Sequence, residues 1–427
     1  MLAHSRDARL IDGDEPVTRE VYLAQLRAVA RALPGEGPLI NLCEGRHAFL
    51  LAFGAALLQG RPTLLPPNRS PETVAALAAE WGAGQRVDDD ALQALLGEAV
   101  EGGGEGVPRV EADRIAAVVF TSGTTGAPQP NYKRWGQLLE GARRAEAGLE
   151  LPADCGLVAT VPPQHMFGLE MSVMLPLATG RRVLPERPFF PGDIAAALAR
   201  IEGPRVLFTT PLHLRACLRE EGIRWPAIHR IVVSTAPLSA ELAAEAERRT
   251  GSPVIEIYGS SETGAMATRA TAHTEEWRCL DGLSLREEEG VVRVGGGHVP
   301  EPVTLNDAVE LCSPTTFRLL GRGEDLVDVA GKRASLGGLG EILRGIDGVE
   351  DGVFLQPSGA EGEAARLIAL VVAPGVGEEA IRRELRRWVD PVFLPRPLYK
   401  VESLPRNELG KLPRQALQEL MDRMGER

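Results

Sequence analysis

The chain has 427 residues, of which 44% are hydrophobic and 25% charged, and its formal net charge is −12. That length accommodates two or three domains with a sizeable core, and the composition is ordinary for a globular protein. The acidic balance argues against a general nucleic-acid binder, which needs a basic excess to neutralise phosphates.

The opening residues carry no apolar signal core, so neither a leader nor a membrane anchor is expected there. Positions 21–33 have helical apolar spacing, which Pro34-Gly35 breaks. Residues 39–42 read as a short strand and 47–59 as a buried helix. The apolar run at 48–58 is too short to span a bilayer. A glycine-rich connector, EGGGEGVP, follows at 101–108. It lacks the strand before and the helix after that a dinucleotide fingerprint requires. The five cysteines, Cys43, Cys155, Cys217, Cys279 and Cys312, form no CxxC pair. Free, buried thiols in a reducing cytoplasm are the expectation, with no zinc site.

Beyond the connector one pattern repeats: an apolar strand, a polar loop, then a helix. Residues 115–120 run into Thr121-Ser122-Gly123, and 205–208 into Thr209-Thr210-Pro211. Likewise 231–233 run into Ser234-Thr235-Ala236, and 254–257 into Tyr258-Gly259-Ser260. Such alternation predicts an α/β fold, a doubly wound and mostly parallel sheet. Ligands in these sheets bind beyond the carboxyl ends of the strands, where the polar loops stand. The last hundred or so residues read as a smaller α+β domain. They contain a glycine-rich segment at 331–340, a strand near 367–372 and an amphipathic helix at 378–389. In that helix Ile381, Leu385 and Trp388 share one face, and Arg382, Arg383, Arg386 and Arg387 crowd the rest.

The strongest local signal is TSGTTGAP at 121–128, made of Thr121, Ser122, Gly123, Thr124, Thr125, Gly126, Ala127 and Pro128. Hydroxyl residues interleaved with glycines let backbone N–H and side-chain O–H groups converge on phosphate oxygens. No Gly-Lys-Ser/Thr follows, which sets aside a Walker-type kinase.

This loop resembles the phosphate-binding motif of the adenylate-forming superfamily: acyl-CoA synthetases, aryl-acid ligases, luciferases and adenylation domains. Further matches follow in the superfamily's order. PPQHMFG at 162–168 is similar to its histidine or aromatic motif, STAPL at 234–238 to its adenine-side loop, and YGSSETG at 258–264 to its YGxTE motif. Asp307 and Gly321-Arg322 have the spacing of its ribose-binding Asp and hinge-side Arg. PRNELGK at 405–411 is similar to its catalytic-lysine motif. In length and wording the chain most resembles the compact ligases of aryl-polyene and xanthomonadin pigment synthesis.

The resemblance implies an ATP-dependent acid–thiol ligase. A large adenylation domain, 1–323, would bind acid, ATP and Mg²⁺, and a small mobile domain, 324–427, would carry the catalytic lysine. Both reacting partners, a carboxylate and the α-phosphate, are negative, so cations and donors must screen their repulsion. By resemblance, Glu262 would hold Mg²⁺, Lys411 would bridge acid and α-phosphate, and His165 would wall the acyl pocket and gate the thiol channel. Thr121, Ser122, Gly123, Thr124, Thr125, Gly126, Ser234, Thr235, Ala236, Tyr258, Gly259, Ser260, Ser261, Asp307 and Arg322 would bind the nucleotide, Tyr258 against adenine. Phe167, Gly168, Ala236 and Gly259 would join His165 around the acyl group. Glu324 would be the hinge, and Gly331 would line a phosphopantetheine tunnel. Taken singly, Glu262 reads equally well as a helix-capping carboxylate and Lys411 as a solvated charge.

The chain also departs from the superfamily. Gln129 stands where a loop lysine is usual, with Lys133 as a candidate replacement, and GLGEIL at 338–343 stands where Glu-Ile-Glu is usual. The segment between Glu262 and Asp307 is short, so a trimmed barrel is expected there. The stretch after His165 lacks the Phe-Asp pattern that pairs an α-amine, which favours an acid without one, such as a hydroxybenzoate. Glu170 would contact a ring hydroxyl or serve the structure. The thiol acceptor would be an acyl carrier protein, with CoA as the alternative. A degenerate, non-catalytic nucleotide-binding protein is the reading of another class. No nucleic acid and no membrane span are expected.

Overall fold

The computed structural model describes residues 7–98, 106–122, 128–322, 326–329, 332–356, 366–407 and 410–425. Gly123, Thr124, Thr125, Gly126, Glu324 and Gly331 lie outside them. For Thr121, Ser122 and Arg322 only the backbone is described.

Two sheets organise the first three quarters of the chain. The larger is parallel at its centre, in the order 182–183, 156–159, 205–209, 230–233, 254–260. These strands are short and almost continuously apolar, as strands buried on both faces must be. Val158, Phe208, Val232 and Val254 are fully or almost fully enclosed. The second sheet runs 85–87, 39–41, 63–65, 115–122 in parallel, with 128–134 antiparallel at its edge. The expected parallel α/β core is present.

Two of the four repeats depart from the expected strand–loop–helix order. The strand Ile115–Ser122 turns back into the antiparallel strand Pro128–Arg134 before the helix Trp135–Gly148 begins. Likewise Val254–Ser260 returns as Gly264–Arg269. Glu262 therefore stands in a hairpin turn with no helix behind it, and the helix-capping alternative falls. Loop composition is the same for a turn into a helix and a turn into a strand, so the pattern did not separate them.

Helices cover the sheets. Arg46–Leu58 is apolar on all sides and almost wholly buried, as a helix without a polar face must be. Its Arg46 guanidinium is fully enclosed and donates to the backbone carbonyls of Leu184, Glu186, Ala159 and Val161. That ties the second sheet's helix to the ends of the first sheet's strands. Short polar side chains start several helices: Thr210 Oγ1 accepts from His213 N at 3.3 Å and Ser239 Oγ from Leu242 N at 3.2 Å.

Between Glu262 and Asp307 lies a small antiparallel sheet, Leu283–Glu288, Val291–Gly296 and Val299–Thr304. Farther on, Asp351–Leu355, Ile368–Val372 and Leu398–Lys400 form another three-stranded sheet, flanked by the helices Leu336–Arg344 and Glu378–Trp388. Among the described residues its buried apolar groups, from Val327 to Leu404, form clusters separate from those before residue 318.

In the helix Glu378–Trp388, Ile381 and Leu385 are buried as expected, but Trp388 is 68% exposed. The helix ends there, and Arg387 lies over the indole ring at 5.9 Å. Of the cysteines, Cys43, Cys155, Cys217 and Cys279 are buried, whereas Cys312 is exposed, because it sits on the outer strand Asp307–Ser313. No helix among the described residues is long and apolar enough to cross a membrane.

Candidate active site

The carboxyl ends of the parallel strands converge on one edge. The strand Gly156–Ala159 leads to Pro162, Pro163 and His165. Arg230–Val233 leads to Ser234 and Thr235, and Val254–Ser260 to Glu262. A cleft there is lined by Tyr258, Gly259, Ser260, Glu262 and Asp307, five residues singled out from the sequence.

Close backbone approaches shape this edge. A Cβ at Gly259 would lie 2.1 Å from the Gly264 carbonyl oxygen, and one at Gly168 would lie 1.9 Å from that of Pro162. Neither position has room for a side chain. Thr235 holds φ at +85°, a left-handed conformation that costs a non-glycine residue about 1–3 kcal/mol. Its neighbour Ser234 donates from Oγ to the Ile257 carbonyl at 2.9 Å, pinning the loop to the next strand.

Tyr258 donates its hydroxyl to Asp307 Oδ2 at 2.5 Å. Its ring leans on Trp277 and Phe317, with centroids at 5.5 and 5.7 Å. An aromatic cluster thus fixes the orientation of Asp307 from behind. Asp307 pairs in register with Arg322 across the strands Asp307–Ser313 and Thr316–Arg322, so both backbones reach the same rim. Thr263 is buried under the turn, where its Oγ1 accepts from Ser260 N at 3.1 Å and Ser260 Oγ accepts from Thr263 N at 3.2 Å. The Glu262 side chain is left exposed to the cleft.

His165 is half-buried and accepts at Nδ1 from Phe167 N at 3.3 Å. Burial, and then the neighbouring Lys411 ammonium, push its pKa down to about 3. The imidazole is neutral at physiological pH, and Lys411 stands within electrostatic reach of it. The Lys411 turn is held by Arg406, which donates to Asp351 at 2.5 and 2.7 Å and to the Gly410 carbonyl at 2.5 Å. Gly410, at φ +74°, passes so near Leu212 that an added Cβ would lie 3.2 Å from it. Arg215 pairs with Glu341 at 3.3 Å across the same junction, and Arg219 donates to the Val349 carbonyl at 2.7 Å.

Behind the Glu262 turn lie three buried titratable groups: Lys133, Glu170 and His298. Lys133 donates to the Glu262 carbonyl at 2.7 Å. Burial lowers its pKa, and the Glu170 and Glu262 carboxylates oppose that shift. Glu170 sits in the π-helical stretch Leu169–Met174 and accepts from Ala265 N. Burial raises its pKa, against the pull of Lys133. Burial brings the His298 pKa down to about 4, against the pull of the Ala265 and Thr263 backbone. His298 was not anticipated, since a lone histidine in a glycine-rich turn carries no spacing signal.

Among the described residues no three His, Cys, Asp or Glu side chains form a metal cage. Mg²⁺ that arrives with phosphates needs only one or two protein carboxylates. Glu262, an oxygen donor open to the cleft, meets that need.

Comparison with known proteins agrees in family and fold. Residues 57–295 match the family model described as AMP-binding enzyme. The 4-coumarate–CoA ligase of Rhodobacter capsulatus is 30% identical over 277 residues, 64% of this chain and 68% of that protein. A 3,4-dihydroxybenzoate–[aryl-carrier protein] ligase of Bacillus anthracis is 19% identical over 321 residues, 72% of this chain and 74% of that one. The Bacillus subtilis O-succinylbenzoate coenzyme A synthetase, solved with ATP and magnesium, superposes with a TM-score of 0.82 at 20% identity. It covers 97% of this chain and 96% of that one.

Proposed function

The chain belongs to the AMP-binding enzyme family, and from that premise we propose that it activates an aryl carboxylic acid with ATP and Mg²⁺ and passes the acyl group to a phosphopantetheine thiol. The observation that carries the reading is that Tyr258, Glu262 and Asp307 line one cleft at the carboxyl edge of the parallel strands.

Asp307, a carboxylate oriented by Tyr258, suits the paired hydroxyls of a ribose. The Ser234–Ala236 loop and Tyr258 border the adenine. The loop at 121–126 and Ser260 and Ser261 offer donors to phosphate oxygens. Mg²⁺ beside Glu262 would neutralise phosphate charge, so that a carboxylate can approach the α-phosphorus. Lys411, a point charge on a flexible stem, bridges the attacking oxygen and the α-phosphate as charge moves between them. His165, Phe167, Gly168, Ala236 and Gly259 wall the acyl group. A neutral His165 adds no second cation beside Lys411. After pyrophosphate leaves, the part of the chain from 324 onward turns about Glu324, and Gly331 admits the thiol arm past the backbone.

The aryl reading draws on the missing α-amine pattern after His165 and on relatives named for coumarate and dihydroxybenzoate. The likeness to pigment-pathway ligases rests on length and motif wording alone. For the acceptor, an acyl carrier protein is one reading and CoA the second. An acidic carrier would meet the four arginines of the helix Glu378–Trp388, but three of them have partners of their own: Arg386 with Glu379 at 3.2 Å, Arg387 with Glu384 at 2.8 Å, and Arg382 with the Pro395 carbonyl at 2.9 Å. Those pairs favour CoA, as does the coumarate–CoA ligase relative.

Acid-dependent pyrophosphate exchange across aryl, alkyl and amino acids is the direct test. Exchange is expected with aryl acids and not with amino acids, and the reverse order would overturn the aryl reading. Transfer assays with holo carrier protein and with free CoA then separate the acceptors.

A further inference from the structure

The Glu262 turn is held from behind by two buried, oppositely charged side chains that belong to different elements. Lys133 comes from the strand Pro128–Arg134 and is 7% exposed; Glu170 comes from the stretch Leu169–Met174 and is 3% exposed. They hold the two ends of one four-residue segment. Lys133 Nζ donates to the carbonyl of Glu262 at 2.7 Å, and Ala265 N donates to Glu170 Oε2 at 2.9 Å and Oε1 at 3.2 Å. The residues between fit around that grip. Gly264 has φ +71°, and a Cβ there would lie 2.3 Å from Glu170 Oε1.

Enclosing an ammonium and a carboxylate is strongly unfavourable, and a well-packed apolar pair of the same volume is usually as stable or more so. Each charge here is used on a main-chain atom beside Glu262. We infer that Lys133 and Glu170 are positioning residues, which fix the 262–265 backbone so that the Glu262 carboxylate faces the cleft at the height where a metal–nucleotide complex binds. The inference rests on the assignment of Glu262 to Mg²⁺ proposed above. It also gives Lys133 a role other than replacing a loop lysine at Gln129, because its ammonium is engaged by the Glu262 carbonyl.

The test compares K133M, K133M/E170Q and E262Q. The readouts are melting temperature, the Mg²⁺ concentration giving half-maximal pyrophosphate exchange, and calorimetric ATP affinity with Mg²⁺ and with EDTA. K133M removes the ammonium that draws the Glu170 pKa down, so Glu170 must take up a proton or stay charged without that cation, and the variant is expected to melt lower. The double variant has no lone buried charge and is expected to recover most of that loss. Its Mg²⁺ requirement should nevertheless rise about 10-fold, as when outer-shell partners of a metal ligand are removed. Its ATP affinity should fall in Mg²⁺ and hold in EDTA. If the double variant has the wild-type Mg²⁺ requirement while E262Q does not, the pair only supports the fold and the inference is overturned. If E262Q itself keeps the wild-type requirement, the metal assignment of Glu262 fails and the inference fails with it.

Discussion

His165 and Lys411 lie close enough to affect one another, although one follows the strand Gly156–Ala159 and the other the strand Leu398–Lys400, which belong to different sheets. Burial is the larger cause of the low His165 pKa and Lys411 the smaller. Lys411→Ala should therefore raise the His165 pKa from about 3 while leaving it below its ordinary 6.5, which NMR titration of the ring can follow. The same variant should lose acid-dependent pyrophosphate exchange by about 10²–10³-fold, the usual effect of removing one group that stabilises transition-state charge. Thiol transfer from a supplied acyl-adenylate should largely survive; equal loss in both half-reactions would remove Lys411 from its assigned place. Lys411, Glu262 and Asp307 could be singled out from the sequence because each sits in a motif with fixed neighbours; Glu262 and Asp307 share a cleft and Lys411 lies near His165. Lys133, Glu170 and His298 were not legible in their structural setting. Their partners lie on other elements, and no spacing along the chain encodes a backbone carbonyl 129 residues away.

The hairpin formed by Val254–Ser260 and Gly264–Arg269 is the element on which the candidate site depends most. Its register shifts between Tyr258 and Gly259, and a Cβ at Gly259 would meet the Gly264 carbonyl. Gly259→Ala would place a methyl group against the Gly264 carbonyl, and overpacking of this kind costs about 1–3 kcal/mol. The expected result is a lower melting temperature together with weaker ATP binding, measured by calorimetry. A variant with unchanged melting temperature and unchanged ATP affinity would show that the hairpin opens freely. The strand Val254–Ser260 itself was evident from its apolar run. Its antiparallel return was not, because Ser261-Glu262-Thr263-Gly264 reads equally well as the start of a helix. In the helix Glu378–Trp388 periodicity placed Ile381 and Leu385 in the core correctly. It misplaced Trp388, since a terminal residue can share a face without reaching the neighbour that face packs on.

Over the whole molecule, four histidines, His47, His165, His213 and His298, share one electrostatic fate: each has its pKa lowered. Burial is the largest cause in each, and it lowers His165 to about 3 and His213 and His298 to about 4. An unfolded histidine titrates near 6.5, so below that pH the unfolded chain binds protons that the folded chain refuses. Their contribution is fully present above pH 6.5 and is lost as pH falls toward the folded values, at up to about 1.4 kcal/mol per pH unit for each. Glu170, raised by burial, acts in the opposite sense above its ordinary 4.5. Urea midpoints should fall between pH 7 and pH 5, and His298→Gln should flatten that slope; an unchanged slope would mean His298 is hydrated. The α/β core was legible in alternating strands and helices, whereas the contacts between the last part of the chain and the rest were not. Among those contacts, Arg215–Glu341 joins the helix Pro211–Arg219 to Leu336–Arg344, both side chains less than one-fifth exposed. If the later part of the chain turns between half-reactions, this ion pair belongs to one posture alone, and its strength sets how long the enzyme waits there. Each 1.4 kcal/mol removed from that posture shifts occupancy about tenfold toward the other. Arg215→Ala should then slow formation of acyl-AMP and shorten its dwell before thiol capture. The pair would then act as a timer that trades commitment to the acid against release of the product.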